Sequence, residues 1–328
     1  RPWKSLILVG GGAIGAEFAH IFSAFGTKVT LLEMRPHILP TEEEEISVFV
    51  EKQFRRNGID LYTNTAAISA SAEGGLKTVT IEDRETHARQ TVSAEEIFVA
   101  SGVRSNGDRM RLDLAGVETD GRGWIVTNEY LETSQPHIFA IGDINGKYQF
   151  RHKANHEAGI LSHNLFEDGE RKKIVYDAVP WAIFTWPQVG HVGMTEKEAK
   201  EKGLSIGIAR NRYSDIAGGM ALGYSSDSED NGFVKIILSR EMKILGVHIV
   251  GPYASMLVQP FVYLIHAGCP CAALHAAREA TASTELRQRI REACLQTGGL
   301  QPIADSMVIH PSMNELAAWA LEEIEWVE

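Results

Sequence analysis

Cysteine, long apolar runs and excess positive charge are scarce in this sequence, and each scarcity excludes a class of protein. The 328 residues contain three cysteines, too few for a disulfide scaffold, which fits a reducing, cytoplasmic location. No apolar run reaches the ~20 residues of a membrane-spanning helix, so no membrane partner is expected. The net charge of −11 argues against a nucleic-acid partner, because phosphate binding requires clustered Lys and Arg.

Glycine, by contrast, is abundant near the beginning of the chain. The apolar stretch 5–10, SLILVG, predicts a buried parallel strand, and the glycines that follow have the spacing G-x-G-x-x-G. The first permits a tight turn, the second lets the backbone approach a pyrophosphate, and the third packs helix on strand, while the helix N-terminus holds the negative charge. The turn therefore predicts a dinucleotide site. Its candidate residues are Gly10, Gly12, Ala13, Ile14 and Gly15.

A predicted helix and a second strand follow this turn in the order that dinucleotide binding requires. The helix ends at Gly26, and the strand KVTLLE ends on Glu33, 18 residues after Gly15. A carboxylate at that position binds the adenosine 2′-hydroxyl and repels a 2′-phosphate, which favours NAD over NADP. Two alternatives stay open: Arg35 meets a phosphate instead, or the turn holds no ligand.

An acidic run, 42–45, opens the next predicted helix, which ends at Gly58. Acidic side chains suit the positive end of a helix dipole, and a run of like charges is typical of a solvated face. We therefore interpret this run as a solvated helix start and not as a site. The segments 76–85 and 95–106 continue with strands, which predicts a compact α/β domain up to about residue 120.

Residues 133–143, TSQPHIFAIGD, carry a second nucleotide signal. The small and apolar residues IFAIG predict a strand that ends on Asp143. A carboxylate at the carboxyl end of a parallel strand accepts hydrogen bonds from a polyol or a ribose. By itself, this stretch is equally compatible with a simple turn.

Near the end of the chain, the stretch IHPSMNE places His310 next to Pro311 and five residues before Glu315. Histidine has the side-chain pKa nearest neutrality, which makes His310 a candidate for proton transfer. A carboxylate such as Glu315 orients a histidine base in many enzymes. The alternative is a helix start in which Pro311 fixes the first turn.

In their order along the chain, the stretches 5–33, 100–106, 133–143 and 309–315 resemble the flavin-dependent pyridine nucleotide-disulfide oxidoreductase family. The resemblance covers nearly the whole chain. Within that family it is closest to the dihydrolipoamide dehydrogenases, with mercuric and glutathione reductases as relatives.

This resemblance implies an α/β fold of three parts. They are a Rossmann-like NAD domain in 1–122, the remaining C-terminal part of an FAD domain in 123–176, and an α+β dimerisation domain in 177–328. Residues 179–199 resemble the opening of the family's dimerisation domain, and residues 232–252 resemble its central sheet.

The resemblance also implies roles for individual residues. The ASGVRSN stretch is similar to a cofactor-binding motif of the family and supplies Gly102 and Arg104, while Asp143 takes the position that binds the ribityl chain of FAD. The helix expected in 152–159 would pack beside the isoalloxazine ring. Glu17 matches an acid near the nicotinamide and the flavin, and its alternative is an exposed helix charge.

The activity that the resemblance implies is oxidation of a dihydrolipoyl dithiol by NAD⁺, through FAD and a redox disulfide. His310 would deprotonate the thiol and Glu315 would orient His310. In this branch of the family the base reaches the disulfide of the partner subunit, so the resemblance implies a homodimer.

The sequence departs from the family at its flavin-binding segment. That segment carries a second Gly-rich fingerprint and a Cys-x-x-x-x-Cys disulfide, and neither pattern occurs in the 328 residues. We therefore expect a C-terminal portion that binds FAD only when the missing segment is supplied and that is inactive alone. The alternatives are a mercuric reductase-like enzyme, and a non-catalytic NAD-binding and dimerising module or half of a split enzyme.

A second departure is the segment 269–305, which is longer than the family pattern predicts. The cluster His266, Cys269, Cys271 and His275 has the residue types of a metal or redox site. However, Cys-Pro-Cys is not a standard zinc spacing and no second cysteine pair accompanies it. The sequence therefore predicts no metal site.

Overall fold

The computed structural model describes residues 2–240, 242–266, 299, 313, 315–320 and 324–327. The chain forms two compact units, one of residues 1–101 with 180–328 and one of residues 102–179. The three-domain division, with boundaries after residues 122 and 176, stays a prediction.

The helices and strands of the described residues alternate along much of the chain. The helices are α1 (Ala13–Ala24), α2 (Glu44–Arg56), α3 (Leu112–Ala115), α4 (Arg151–Phe166), α5 (Glu196–Glu201), α6 (Ala217–Ala221), α7 (Ala254–Leu257), α8 (Gln259–His266) and α9 (Glu315–Trp319). The strands are β1 (Ser5–Val9), β2 (Lys28–Leu32), β3 (Asp60–Tyr62), β4 (Thr65–Glu73), β5 (Leu76–Asp83), β6 (Arg89–Ala94), β7 (Glu96–Val99), β8 (Trp181–Ile183), β9 (Gln188–Gly193), β10 (Ile206–Arg212), β11 (Phe233–Ser239), β12 (Ile244–Gly251) and β13 (Ile324–Val327). Short 3-10 helices cover Gly107–Arg109, Gly142–Asn145 and Tyr213–Asp215.

The first unit begins with a parallel sheet of strand order β3-β2-β1-β7. One of its two inner strands, β1, is apolar after Ser5, and Leu6, Ile7 and Leu8 are completely buried. This is the pattern of a strand covered on both faces. The antiparallel sheet β4-β5-β6 contributes Val79 and Ile81 to the cluster that contains Ile7. The predicted α/β class is confirmed.

Helix α1 turns its smallest residues towards β1. Gly15, Ala16 and Ala19 are buried, whereas Ile21 is 40% and Phe25 is 70% exposed. The reason is the close approach of helix and strand, since a Cβ added at Gly15 would lie 1.8 Å from the carbonyl oxygen of Gly10. The third glycine of the turn therefore has the packing role that its spacing predicts.

The same unit contains a six-stranded sheet of order β13-β10-β11-β12-β9-β8. The paired strands β11 and β12 lie at its centre, as predicted for residues 232–252. Their register places Lys235 opposite His248, and His248 lies opposite His191 of β9. Three buried polar side chains thus lie on neighbouring strands of this sheet.

The second unit contains α4, which confirms the helix predicted in 152–159. The strand predicted for 138–142 is wrong. Phe139 forms one isolated antiparallel bridge with Glu132, and Gly142–Asn145 is a 3-10 helix. A strand requires a hydrogen-bonded neighbour along its length, and among the described residues the stretch 138–142 has only that bridge. Ile138 is accordingly 38% exposed.

Among the residues that the structure describes, none of the helices combines the length and apolar character needed to cross a bilayer.

Candidate dinucleotide-binding site

The glycine turn between β1 and α1 has two positions that only glycine can occupy. Gly10 has a φ of +109°, and a Cβ at this position would lie 2.5 Å from the carbonyl oxygen of Ala100. The Cβ of any residue at position 15 would overlap the Gly10 carbonyl oxygen. These two glycines therefore let β1, β7 and α1 meet at the turn.

Gly12 differs from both, because a Cβ added there would meet no atom within 4 Å. It is the N-cap of α1, where no side chain caps the helix and no acidic residue lies in the first turn. The first N–H groups of an α-helix lack intrahelical partners and carry partial positive charge. Open space thus lies at a helix N-terminus that has no side-chain cap, which is the arrangement that receives a phosphate.

The Glu33 carboxylate lies beneath this turn and is 6% exposed. One oxygen accepts a hydrogen bond of 2.7 Å from the N–H of Gly11, and the other accepts one of 2.8 Å from the N–H of Arg35. The structure therefore brings Glu33 to the turn, 22 residues away in sequence. Arg35 contributes its backbone to this arrangement.

Gly11 is a site residue that the spacing pattern missed. A Cβ at Gly11 would lie 2.8 Å from Cγ2 of Ile38 and 3.0 Å from Cβ of Glu33. The available signal was the uninterrupted Gly10–Gly12 triplet, of which the motif uses only the first and last members.

The other predicted residues of α1 lie around the same helix start. Ala13 is exposed and Ile14 is 53% exposed. Glu17 accepts a hydrogen bond of 2.9 Å from the N–H of Phe184, just after β8. Glu17 is therefore more than an exposed helix charge, and its role near a cofactor stays a prediction.

In the second unit, Asp143 is exposed in the 3-10 helix Gly142–Asn145. Glu157 of α4 accepts a 2.6 Å hydrogen bond from the N–H of Gly142, and the ammonium of Lys153 donates to the Gly142 carbonyl at 2.8 Å. Lys153 and Glu157 are buried and 3.0 Å apart. The N–H and the carbonyl oxygen of Gly142 are thus both hydrogen-bonded to side chains of α4, and Asp143 remains exposed.

Two more predicted residues belong to this second unit. Gly102 has a φ of +113°, a conformation that favours glycine, and Arg104 is exposed. Their predicted cofactor contacts remain predictions.

The predicted catalytic pair is only partly described. Glu315 is buried at the start of α9, where its carbonyl oxygen accepts a hydrogen bond of 3.5 Å from the amide of Asn211. His310 lies outside the described residues, as do Cys269, Cys271 and His275. The pairing of His310 with Glu315 therefore stays a prediction.

The interpretation of the acidic run 42–45 as a solvated face is wrong for its first two residues. Glu42 and Glu43 are 7% and 6% exposed, whereas the side chain of Glu44 is 82% exposed. The burial arises because the start of α2 packs against the six-stranded sheet. There, Glu43 meets the ammonium of Lys235 on β11 at 2.6 Å.

Lys235 is the centre of a buried ion network. Its ammonium also contacts Glu45 and Glu196, each at 2.7 Å. Burial lowers the pKa of Lys235, but these three carboxylates outweigh burial and raise the pKa above its usual value. Burial raises the pKa of Glu196, but Lys200 and Lys235 outweigh it and lower the pKa to about 2. Next to this network, complete burial lowers the pKa of His248 well below its ordinary value.

Comparison with known proteins agrees with this geometry. A family model described as pyridine nucleotide-disulphide oxidoreductase matches residues 1–158, and the dimerisation domain of the same family matches residues 179–294. Together these two matches cover most of the chain.

Curated relatives carry two different enzyme names. Dihydrolipoyl dehydrogenase 3 of Haloarcula marismortui is 35% identical over 267 residues, which are 80% of this chain and 54% of that protein. Mycothione reductase of Mycobacterium tuberculosis is 36% identical over 283 residues, 82% of this chain and 57% of that protein. The chain thus spans about half the length of the curated relatives it matches.

Solved structures show the same fold. The Cu(II) complex of the HOCl-induced flavoprotein disulfide reductase RclA from Escherichia coli superimposes with a TM-score of 0.78 at 23% identity, over 98% of this chain and 64% of that one. LpdA from Mycobacterium tuberculosis also gives a TM-score of 0.78, at 21% identity, over 98% of this chain and 62% of that one. With the two family matches and these relatives, the chain belongs to the pyridine nucleotide-disulphide oxidoreductase family.

Proposed function

We propose that this chain supplies the NAD-binding and dimerisation parts of an FAD- and NAD-dependent dithiol/disulfide oxidoreductase of the dihydrolipoamide dehydrogenase type. The reaction of the whole enzyme is then a dihydrolipoyl dithiol plus NAD⁺ giving a disulfide plus NADH. The observation that carries the proposal is the glycine turn, where Gly12 leaves open space at the N-terminus of α1 and Glu33 lies beneath it.

The residues present fit an NAD molecule. Gly12 and the first N–H groups of α1 would hold the pyrophosphate, because they combine open space with partial positive charge. The Glu33 carboxylate is fixed by two backbone N–H groups and would accept hydrogen bonds from the adenosine ribose. A 2′-phosphate next to that carboxylate would be repelled, so the site favours NAD over NADP.

The residues of the second unit fit part of a flavin site. Asp143 is exposed on a turn whose backbone Lys153 and Glu157 hold in place, and its carboxylate would accept hydrogen bonds from the ribityl hydroxyls. When bound, FAD supplies the hydride and electron transfer that connects NAD with a dithiol. The contribution of this chain is to hold and orient it through Asp143, Gly102 and Arg104.

Thiol chemistry completes the proposal. His310 would take the thiol proton and Glu315 would orient its ring, in a homodimer formed through the dimerisation domain at 179–294. No Cys-x-x-x-x-Cys occurs in the 328 residues. We therefore expect dithiol turnover only when a polypeptide that carries such a pair is added. Lipoamide reduction by the 328 residues alone would contradict this expectation.

Nucleotide binding tests the central part of the proposal. Isothermal titration with NAD⁺ compares the unmodified chain with Gly12→Val, whose side chain would fill the open space at the helix start. We expect the variant to lose at least about tenfold in affinity, which is about 1.4 kcal/mol. Gly121→Val is the matched control, because a Cβ at Gly121 also meets no atom within 4 Å and its φ is not positive. Equal NAD⁺ affinity in the Gly12 variant would refute the site.

Cofactor choice tests Glu33 separately. Glu33→Gln removes the negative charge but keeps an oxygen that accepts the Gly11 N–H. We expect the ratio of NAD⁺ to NADP⁺ affinity to fall. An unchanged ratio would mean that Glu33 only supports the turn.

Mycothione reductase is the name of one relative as similar as the dihydrolipoyl dehydrogenases, which favours a second disulfide substrate. Assay of the completed enzyme with lipoamide and with mycothiol disulfide distinguishes the two. Turnover of mycothiol disulfide alone would replace the dihydrolipoyl substrate and leave the NAD site unaffected.

A further inference from the structure

Glu42, His191 and His248 form a buried cluster where the start of α2 meets strands β9 and β12. The side chains of Glu42 and His248 are 0% exposed and that of His191 is 1% exposed. Nδ1 of His191 lies 3.0 Å from Oε2 of Glu42 and 3.1 Å from Nδ1 of His248. All three ligand atoms lie within 4.8 Å of one another.

Both histidines of this cluster donate an Nε2–H to a backbone carbonyl oxygen. Nε2 of His191 is 3.0 Å from the carbonyl oxygen of Gly193, and Nε2 of His248 is 2.9 Å from that of Met194. A carbonyl oxygen only accepts, so each Nε2 carries a hydrogen. A neutral imidazole has a single N–H, which leaves a lone pair on both Nδ1 atoms. When both imidazoles are neutral, two nitrogen lone pairs and a carboxylate oxygen therefore face one another with no donor between them.

The described charged side chains around the cluster also leave its carboxylate without a cation. The four carboxylates here are Glu42, Glu43, Glu45 and Glu196. Three cations face them: Lys235, with Lys200 on Glu196 and Arg210 on Glu45. Among the described residues, Glu42 has no Lys or Arg within ion-pair distance, and its other oxygen accepts the indole N–H of Trp181. Arg210 is also shared with Glu325, so the three cations leave negative charge unbalanced, and Glu42 carries it next to the two lone pairs.

We propose that a single divalent transition-metal ion of the zinc class binds between Nδ1 of His191, Nδ1 of His248 and Oε2 of Glu42. Imidazole nitrogen and carboxylate oxygen are ligands that Zn²⁺ prefers, at about 2.0–2.1 Å. Ligand atoms 3.0–3.1 Å apart lie a few tenths of an ångström closer than the corners of a tetrahedron around an ion at that distance, so binding would move them slightly apart. The two Nε2–H contacts to carbonyl oxygens are the outer hydrogen bonds that fix metal-bound imidazoles.

The site is structural and does not depend on the proposed enzyme activity. It joins Glu42, two residues before α2, to two strands of the six-stranded sheet, and the three ligands lie 149 and 57 residues apart along the chain. Ligands so far apart in sequence form no recognisable spacing motif, which is why the sequence predicted no metal site. The ion places positive charge next to Glu42 and separates the two lone pairs, so binding is expected to stabilise the folded chain.

Metal content of the chain purified without a histidine tag or chelator tests the proposal. After equilibration with Zn²⁺ and dialysis, mass spectrometry of the metal is expected to show one ion per chain that His191→Gln and His248→Gln both lose. His163→Gln is the control, because His163 also pairs with a glutamate but lies on α4. We expect the control to keep the ion, and a Zn²⁺-dependent rise in Tm to disappear only in the two cluster variants.

A second test uses Co²⁺ with the unmodified chain and therefore does not depend on the folding of a variant. Co²⁺ added to the unmodified chain is expected to give weak visible bands of nitrogen and oxygen ligands without the strong near-ultraviolet band of a thiolate. A thiolate band would place the ion at the cysteines, and Zn²⁺ content in both cluster variants equal to that of the unmodified chain would place it outside the cluster. Either result would overturn the proposal. No bound Zn²⁺ in the unmodified chain would overturn it as well, and a proton on His191 would then fill the gap.

Discussion

Each of the two compact units buries a lysine, and the two lysines differ in the charge of the groups that their ammonium ions contact. The side chains of Lys235 in the first unit and Lys153 in the second are 3% and 2% exposed. Lys235 meets three carboxylates at 2.6–2.7 Å. Lys153 meets a single carboxylate, Glu157, at 3.0 Å, and donates to the neutral oxygens of Gly142 and Asn145 at 2.8 and 2.6 Å.

The pKa values of the two lysines move in opposite directions because of this difference. Burial lowers both, since a charged ammonium loses its hydration. Three carboxylates outweigh burial at Lys235 and raise its pKa, whereas one carboxylate does not, and the pKa of Lys153 is lowered. The lysine with three carboxylate acceptors has the raised pKa, and the lysine with one carboxylate acceptor has the lowered pKa.

The two networks also differ in what they join. Lys235 and Glu43 are 192 residues apart and fix the start of α2 on the six-stranded sheet. Lys153, Asn145 and Glu157 are local, and they hold the turn that presents Asp143. The first network therefore stabilises tertiary structure, and the second positions a candidate cofactor residue.

Replacement of Lys235 is expected to have the largest effect. Lys235→Met keeps the length of the side chain but leaves three carboxylates close together without their shared cation. We expect the free energy of unfolding to fall by about 3–5 kcal/mol, as for a broken buried ion pair. Guanidinium denaturation measures it, with Lys197→Met as the control because Lys197 is exposed and 4.0 Å from Glu201. A loss as small as that of the control would show that the network contributes nothing net.

Replacement of Lys153 is expected to cost less. In Lys153→Met, Glu157 keeps three donors, the Gly142 N–H, the Asn145 amide and the Tyr176 hydroxyl. We expect a loss of about 1.5–3 kcal/mol, the range for a hydrogen bond to a charged group.

Hydrogen exchange of peptides from 142–157 measures where this loss falls. Exchange is expected to rise in the Gly142–Asn145 turn and not in the six-stranded sheet. Lys173→Met serves as the control, since Lys173 pairs with Glu129 at the surface. A loss larger than that of Lys235→Met would reverse the comparison.

Some of these regions could be predicted from the sequence, and others could not. The glycine turn and Glu33 lie within one β-α-β unit, so local spacing was enough to predict them. The strand predicted at 138–142 failed because a strand depends on neighbours that its own residues do not specify. The acidic run was misread for the same reason: Glu42 and Glu43 are buried by strands that follow about 150–190 residues later, and charge patterning alone indicates solvent.

Acid is expected to narrow the difference between the unmodified chain and Lys235→Met. The pKa of Glu196 is about 2 in the folded chain and 4.5 when unperturbed. Its stabilising contribution is therefore complete above pH 4.5 and is lost as the pH falls towards 2. We expect the Tm difference between the two proteins to be constant above pH 5 and to shrink below pH 4.5. A difference that stays constant throughout would show that Glu196 does not depend on Lys235.

Removal of one hydroxyl is expected to have the smallest effect and tests the local network most directly. Burial, together with the hydrogen bond to Glu157, raises the pKa of Tyr176, so its hydroxyl remains a donor. Tyr176→Phe leaves Glu157 with the other three donors, and we expect a loss of about 1.5 kcal/mol in the free energy of unfolding, the low end of the range for a hydrogen bond to a charged group. Tyr148→Phe is the control, because this ring packs 5.9 Å from that of Tyr176. The free energy of unfolding of Tyr176→Phe is then compared with that of Lys153→Met. If the two losses are equal, hydrogen bonds and not the charge of Lys153 stabilise the Glu157 carboxylate. Lys153 would then act mainly as a donor to the Gly142 turn.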